Sequence, residues 1–129
     1  MDRMIFPNLP VADVDKAREF WTKLGFTFNE QFSDRKAACL VVSDLACVML
    51  LQDEFFHGFH DTAPHTGTEI LIALDARDRA EVDELCDKAA AAGATQTGQR
   101  VEDGPTGPMY SRAFRDLDGH IWEVFHMEM

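Results

Sequence analysis

The sequence predicts an α+β fold made of two βαβββ modules whose sheets form a cup, with one helix outside each module. Three observations support this prediction. Each half of the chain contains one amphipathic helix that ends at a glycine, each half contains four stretches typical of strands, and the elements follow the same order in both halves. The chain has 129 residues, of which 46% are hydrophobic, and this suits one domain over residues 1–129 rather than several.

The first module is predicted at about residues 1–56. Its helix runs from about Val14 to Leu24, because apolar residues recur there at helical spacing after Asp13, a good N-cap. Gly25 is expected to end it. Strands are predicted at residues 4–11, 26–32, 37–42 and 47–52. Two prolines in the first of these favour an edge strand.

The second module is predicted at about residues 68–129, after a linker at about 57–67. The whole segment 53–68 is rich in Phe, His, Gly and Pro and is predicted to be a connecting loop. Asp78 and Glu81 have the spacing of a capping box, and the helix that they begin ends at Gly93. Strands are predicted at residues 69–74, 94–102, 109–115 and 120–127.

Composition excludes several functions. The 23 Asp and Glu residues outnumber the 12 Lys and Arg residues, for a net charge of −11. Such a chain repels phosphate backbones, so we expect no nucleic-acid partner. No apolar run approaches the ~20 residues that span a bilayer, and the N-terminus lacks a signal-peptide pattern. The three cysteines predict reduced, buried thiols and a cytoplasmic location.

Strand alternation predicts which side chains line the cup. Two of the strand interiors carry a carboxylate, and a charge in a strand interior needs water, a partner or a metal ion. Tyr110 and Arg112 share a strand face near the predicted cup, where Arg112 is expected either to hold a carboxylate substrate or to neutralise a glutamate. The residues predicted to line the cup are Phe6, Asn8, Val48, Leu50, Gln52, Glu69, Leu71, Ala73, Ile121, Glu123 and Phe125.

Two stretches of this pattern resemble a known superfamily. Residues 9–13 (LPVAD), followed by Phe20-Trp21 and Leu24-Gly25-Phe26, and the closing residues 116–124 (DLDGHIWEV) resemble the vicinal oxygen chelate (VOC) superfamily. This superfamily includes glyoxalase I, extradiol dioxygenases, fosfomycin-inactivating transferases and bleomycin-binding proteins. The chain looks most like its branch of predicted lactoylglutathione lyases. Because members are commonly homodimers, the resemblance implies a homodimer.

The resemblance also implies where a metal ion would be bound. The ligand positions of the metal enzymes fall on Phe6, Leu50, Glu69 and Glu123. Phe and Leu have no donor atom, and a strand shift of two residues would replace Leu50 by Gln52. Such an oxygen set suits Mg²⁺, Ca²⁺ or Mn²⁺ weakly and Zn²⁺ poorly. We therefore expect no cofactor, with a weakly bound divalent metal ion as the alternative.

Three functions follow as hypotheses. The first is a small-molecule binding protein of the bleomycin-resistance type, whose acidic, aromatic cup would suit a cationic aromatic ligand. The second is a lyase or isomerase of the glyoxalase type, in which Glu69 and Glu123 act as acid and base with or without a divalent metal. The third is a dimeric module without chemistry.

The segment between the modules allows further interpretations. His57, His60 and His65 are expected to be solvated rather than to form a loop zinc site, because no cysteine completes a known ligand pattern. Phe55, Phe56 and Phe59 either close over a flat ligand or pack at a subunit interface. His120 and His126 are expected to be structural.

Overall fold

The computed structural model describes residues 2–59, 67–104 and 107–128, except for the side chains of residues 100 and 103. The chain divides into two compact units, Met1–His65 and Thr66–Met129. Each unit contains one four-stranded sheet and the predicted βαβββ order, so the α+β prediction is confirmed. No helix of the described residues is both long and apolar enough to cross a membrane.

The first unit has the strand order β1-β4-β3-β2, with β1 parallel to β4 and the other pairs antiparallel. Residues of the predicted second strand form only the two-residue β2 and a 3-10 turn, because the side chain of Asn29 caps that turn at the Gln31 N–H. The elements are β1 (Asn8–Val11), α1 (Val14–Lys23), β2 (Thr27–Phe28), the 3-10 turn (Glu30–Phe32), β3 (Ala37–Ser43), β4 (Ala46–Gln52) and α2 (Asp53–His57).

The first strand is shorter than predicted, but its pairing extends beyond it. An isolated parallel bridge joins Ile5 to Ala46. The Met49 N–H donates to the Pro7 carbonyl at 2.8 Å, so the chain keeps one register with β4 from Ile5 to the end of β1. Proline has no backbone N–H to donate to a neighbouring strand. Pro7 takes part in the strand pairing through its carbonyl oxygen, which accepts a hydrogen bond.

Helix α1 begins where the sequence predicts. The Asp13 carboxylate accepts a hydrogen bond of 3.1 Å from the Lys16 N–H, which satisfies a donor that the helix leaves unpaired. Gly25 has φ of +97°, a conformation that favours glycine after a helix. The buried side of the helix and the sheet together form the core of the unit; its members include Val14, Ala17, Phe20, Trp21, Leu40, Val48 and Leu50.

The short helix α2 was not predicted, since its sequence was interpreted as part of a connecting loop. It follows β4 directly and contacts β1 and β4. Most of the predicted linker, including His60 and His65, lies outside the described residues.

The second unit repeats the topology, with the strand order β5-β8-β7-β6 and β5 parallel to β8. The elements are β5 (Leu71–Asp75), α3 (Arg79–Ala91), β6 (Thr95–Asp103), β7 (Pro108–Arg115) and β8 (Ile121–Met127). The Asp78 side chain accepts from the Glu81 N–H at 2.8 Å, as the predicted cap requires. The Glu81 carboxylate accepts from the Arg77 N–H rather than from Asp78.

Candidate functional site

In the first unit, Leu50 and Gln52, which were predicted to line the cup, lie on the sheet face that α1 covers. Gln52 Oε1 accepts a hydrogen bond of 3.0 Å from the Val14 N–H, and Gln52 Nε2 donates to the Ala12 carbonyl at 2.5 Å. These bonds direct Gln52 toward the start of α1. Leu50, two residues earlier on β4, lies on the same face and is fully buried.

The prediction that Leu50 and Gln52 share a face with Asn8 is therefore wrong. In the parallel pairing of β1 and β4, Leu50 lies beside Leu9, whereas Asn8 lies beside Met49. Side chains that oppose each other across a strand pair point to the same face, and a shift of one residue reverses the face. The sequence analysis could assign alternation within each strand, but it could not align the two strands.

Asn8 lies on the side of the first sheet opposite Leu50, where Cys39 and Leu51 on the neighbouring strands are buried. Asn8 is exposed, and its Nδ2 donates a hydrogen bond of 2.6 Å to the Phe6 carbonyl. The side chain of Phe6 precedes β1 and retains 40% of its exposure. Both side chains are therefore accessible to solvent.

In the second unit, Glu123 lies at the centre of the sheet face that α3 does not cover. Its neighbours across the strands are Ala73 on β5 and Ala113 on β7. Its neighbours along β8 are Ile121 and Phe125, and all three β8 side chains are half-buried. The two cross-strand neighbours of Glu123 are thus short alanine side chains, and its neighbours along the strand are apolar.

Glu69 does not lie opposite Glu123 in the register of β5 and β8. Strand β5 begins at Leu71, so Glu69 lies outside the paired segment, and the β5 residue beside Glu123 is Ala73. Strand alternation consequently assigns no face to Glu69. The predicted facing pair of carboxylates is not produced by the strand register.

Arg112 lies on the opposite face of this sheet, against α3, so its predicted position near the cup is wrong. Its Nη1 donates to Asp83 Oδ1 at 3.1 Å and to Asp87 Oδ1 at 3.0 Å. Its Nη2 donates to Gln96 Oε1 at 3.0 Å. Only 15% of the Arg112 side chain is exposed. With these acceptors occupying it, the guanidinium connects a helix to a sheet instead of facing a substrate.

Tyr110 completes this network. Its hydroxyl donates to Asp83 Oδ1 at 2.5 Å, and this bond, with the nearby Arg112, holds the pKa of Asp83 below its usual range although burial opposes the shift. Burial and the bond to Asp83 raise the pKa of Tyr110. Burial opposes a rise in the pKa of Arg112, but its hydrogen bonds to Asp83 and Asp87 outweigh it. Each group is thus held in its usual form at neutral pH.

The bonds from Arg112 to Asp83 and Asp87 were not predicted from the sequence. The available signal was the spacing of the two aspartates, because two residues four apart on a helix lie on one side of it. Tyr110 and Arg112, two apart on a strand, likewise share a face. Neither pattern predicts which face of the sheet packs against which side of the helix.

His126, on β8, pairs across the strands with Tyr110, on the face that α3 covers. His126 Nδ1 lies 3.0 Å from the Ala76 carbonyl oxygen, which agrees with the predicted structural role. His57 belongs to α2, and its ring lies 5.3 Å from that of Phe56. His60 and His65 lie outside the described residues, so the predicted solvated cluster stays a prediction.

The first unit also contains a pocket of about 400 Å³ beside α2. Phe55 and Phe59 form one wall, with ring centroids 5.0 Å apart and planes at 63°. Lys36 Nζ lies 5.7 Å from the Phe55 ring centroid. The remaining lining residues are Gln52, Glu54 and Gly58.

The metal ion that the resemblance implies does not fit these residues. Phe6 and Leu50 offer no donor atoms, and Leu50 is buried on the helix-covered face. In the second unit only Glu123 occupies its expected place on the sheet. Among the described residues, no three His, Cys, Asp or Glu side chains are grouped so that they can hold a metal ion. We therefore derive no reaction step through a metal.

The geometry defines an α+β protein of two βαβββ units. In the second unit, α3 packs on the sheet face opposite Glu123. Residues 3–43 match a family model described as bleomycin resistance protein-like N-terminal. Together with the fold, this match supports the resemblance to the VOC superfamily, in its glyoxalase and bleomycin-resistance group; the branch of predicted lactoylglutathione lyases is not confirmed. A comparison with functionally curated proteins finds no match.

Solved structures support the fold over almost the whole chain. Hypothetical protein SA1046 from S. aureus is 28% identical, with 98% of this chain and 94% of that chain covered and a TM-score of 0.82. A glyoxalase/bleomycin resistance protein/dioxygenase family enzyme from Burkholderia phytofirmans PsJN is 18% identical, with coverages of 95% and 97% and a TM-score of 0.81. A glyoxalase-related enzyme from Fulvimarina pelagi is also 18% identical, with coverages of 98% and 89% and a TM-score of 0.81.

Proposed function

We propose that this protein binds a small organic cation with an aromatic body, as a binding protein of the bleomycin-resistance type. The observation that carries the proposal is the position of Glu123, which lies between Ala73 and Ala113 on the helix-free face of the second sheet. A half-buried carboxylate on a sheet face, beside small and apolar side chains, favours a positively charged ligand group.

The surroundings of Glu123 favour an aromatic cation over a small metal ion. A metal ion needs several oxygen donors around it, and the side chains beside Glu123 are alanines. An organic cation needs one carboxylate and apolar contact area. Phe125 and Ile121 supply that area along β8, and the ring of Phe125 can also face a positive charge.

The charge of the whole chain supports the same ligand class. A net charge of −11 attracts cations toward the surface and repels anions, over a distance of about 8 Å at physiological salt. The family model that matches the N-terminal residues is described by resistance to bleomycin, which makes bleomycin a reasonable probe.

The test is calorimetric titration with ethidium, whose charge does not change with pH, and with metal-free bleomycin. We expect saturable binding of at least one of them. Glu123→Gln should weaken it roughly 10-fold or more, since a hydrogen bond or ion pair with a charged group contributes about 1.5–3 kcal/mol. Glu19→Gln, which removes an exposed carboxylate on α1, serves as the matched control and should change little.

Two results would contradict the proposal. One is equal affinity of the parent and Glu123→Gln for every cation that binds. The other is turnover of the hemithioacetal of methylglyoxal and glutathione that is lost in Glu123→Gln, because this would support the lyase alternative. Titration with an anionic dye provides the charge control and should show no binding at this site.

We also propose the homodimer that the resemblance implies. Static light scattering across a range of protein concentrations tests it, and a constant monomer mass would overturn it.

A further inference from the structure

The pocket beside α2 is a second candidate site, lined by residues of the first unit, whereas Glu123 belongs to the second unit. We propose that it binds a small aromatic zwitterion, such as an aromatic amino acid, with the carboxylate of the ligand toward Lys36 and its ammonium group toward Glu54. The proposal goes beyond the function proposed above, since all of its residues belong to the first unit.

The size of the pocket limits the ligand. A volume of about 400 Å³ lies near the lower end of the range of about 300–1,000 Å³ that small-molecule sites occupy. A one- or two-ring molecule fits this space, and a large peptide or a nucleotide with its phosphates does not.

The wall of the pocket favours an aromatic ring. Phe59 is 68% exposed to solvent and Phe55 is 36% exposed, although the two rings already contact each other edge to face. Exposed phenylalanines in contact with one another form an apolar surface that gains from being covered. A planar ring can cover both of them at once.

The charges at the pocket favour a zwitterion. Within the described part of the chain, neither Lys36 nor Glu54 takes part in an ion pair. The Lys36 ammonium group lies over the Phe55 ring. An anionic ligand would gain from Lys36 but would be repelled by Glu54 and by the net charge of the chain. A cationic ligand would be repelled by Lys36. A ligand with both charges satisfies both side chains.

Gln52 adds a positioned donor. One of its two Nε2 hydrogens is used by the Ala12 carbonyl, and its Oε1 is used by the Val14 N–H. Because an amide nitrogen carries two hydrogens, one donor remains on a residue that lines the pocket. Since the other two bonds fix the amide plane, this donor is oriented before a ligand arrives.

The experiment uses three ligands with one ring and different charges, observed by ¹⁹F NMR of the free ligand: 5-fluoro-L-tryptophan, 5-fluorotryptamine and 5-fluoroindole-3-acetate. The fluorine signal avoids interference from the tryptophans of the protein. We expect the zwitterion to bind roughly 10-fold more tightly than either singly charged ligand, because it gains one further charge-assisted contact. Equal affinity of all three, tighter binding of a singly charged ligand, or no binding at millimolar concentration would overturn the proposal.

Variants test each contact. Lys36→Gln should reduce the affinity for 5-fluorotryptophan to that for 5-fluorotryptamine, and Glu54→Gln should reduce it to that for 5-fluoroindole-3-acetate. Phe59→Ala should weaken all three ligands, whereas Phe32→Ala, at a phenylalanine that is 56% exposed elsewhere in the unit, should weaken none. Any variant that departs from this pattern while keeping the parent melting temperature overturns the assignment of its residue. Excess ethidium should not displace 5-fluorotryptophan, and displacement would show that the two proposed sites are one.

Discussion

The hydroxyl of Tyr110 on β7 donates a 2.5 Å hydrogen bond to Asp83 Oδ1 on α3. The same oxygen accepts from Arg112 Nη1 at 3.1 Å. One carboxylate therefore connects the helix to two side chains of the sheet. Because Tyr110 is buried, loss of this carboxylate would leave its hydroxyl without the acceptor, and buried polar groups without partners are costly. Arg112 would lose one of its three acceptors and keep Asp87 and Gln96.

This relationship predicts a defined pH dependence of stability. The pKa of Asp83 is lowered in the folded state, so its contribution is present above the carboxylate range and is lost as pH falls below about 4. The pKa of Tyr110 is raised, so the contribution of its neutral form is lost as pH rises above about 10. Asp83→Asn should lower stability at pH 7 by about 1 kcal/mol, a modest value because half of the Asp83 side chain is exposed.

Thermal melts across pH check this prediction. The difference in melting temperature between the parent and Asp83→Asn should shrink at acid pH, and that between the parent and Tyr110→Phe should shrink at alkaline pH. Asp44→Asn, at an exposed turn position, is the control and should give a small, constant difference. A constant difference for Asp83→Asn across the acid range would contradict the prediction.

The turn between β7 and β8 provides a second prediction. Asp116 Oδ2 accepts from the Trp122 indole N–H at 2.9 Å, and Oδ1 accepts from the N–H groups of Asp118 and His120 at 2.9 and 3.0 Å. Asp116 is only 8% exposed, so water cannot replace it easily. Asp116→Ala should lower the free energy of unfolding by about 3 kcal/mol, because it leaves three donors without an acceptor.

Urea unfolding followed by tryptophan fluorescence measures that loss. Asp116→Asn retains an acceptor oxygen and should lose less than Asp116→Ala. Asp118→Ala, at the half-buried next-but-one position, separates the role of the Asp116 side chain from a general effect on the turn. Equal losses for Asp116→Ala and Asp118→Ala would show that the Asp116 acceptors are not responsible.

Gln52 is predicted to stabilise the start of α1. Its Oε1 accepts from the N–H of the first helical residue, Val14, a donor that the helix itself cannot satisfy. Gln52→Ala should lower the free energy of unfolding by about 1 kcal/mol, as loss of a capping acceptor does. Gln99→Ala, at an exposed position on β6, should change it by less than about 0.5 kcal/mol. A similar effect of the two variants in urea unfolding would exclude the capping role.

The thiols are predicted to be unreactive in the folded protein. Burial, with a contribution from neighbouring Cys47, raises the pKa of Cys39 to about 11, and burial raises that of Cys86 to about 11. At pH 8 roughly one thiol in a thousand would then be ionised at each position, and the thiolate is the reactive form.

Labelling with a disulfide reagent at pH 8 tests this. The native protein should react slowly, and all three cysteines should react in denaturant. Thr22→Cys, at an exposed position of α1, provides a thiol that should react at once in the folded state. Rapid labelling of the parent would show that burial does not protect its thiols.

The order of elements was accessible from the sequence because its signals are local. Asp13 and Gly25 delimit α1, and Asp78 and Gly93 delimit α3, since helix ends depend on neighbouring backbone groups. Helix α2 was missed, because five residues rich in Phe and His carry too little periodicity to distinguish a short helix from a loop. The resemblance to the VOC superfamily was visible in residues 9–13 and 116–124, and in the second of these the Asp116–Trp122 bond supplies a physical reason for the pattern.

The assembly of the candidate site depended on pairing between strands that are distant in sequence. Alternation correctly grouped Leu71, Ala73, Ile121 and Glu123 on one face, and the structure pairs them accordingly. The same reasoning misassigned Leu50 and Gln52, because the register of β4 against β1 is fixed by packing beneath α1 and not by either strand alone. Arg112 was placed on the wrong side for the same reason, since its partners Asp83 and Asp87 belong to a helix that only folding brings to it. Local sequence thus determined the elements and the side chains that share a face within each strand, whereas tertiary contacts decided which face became the core.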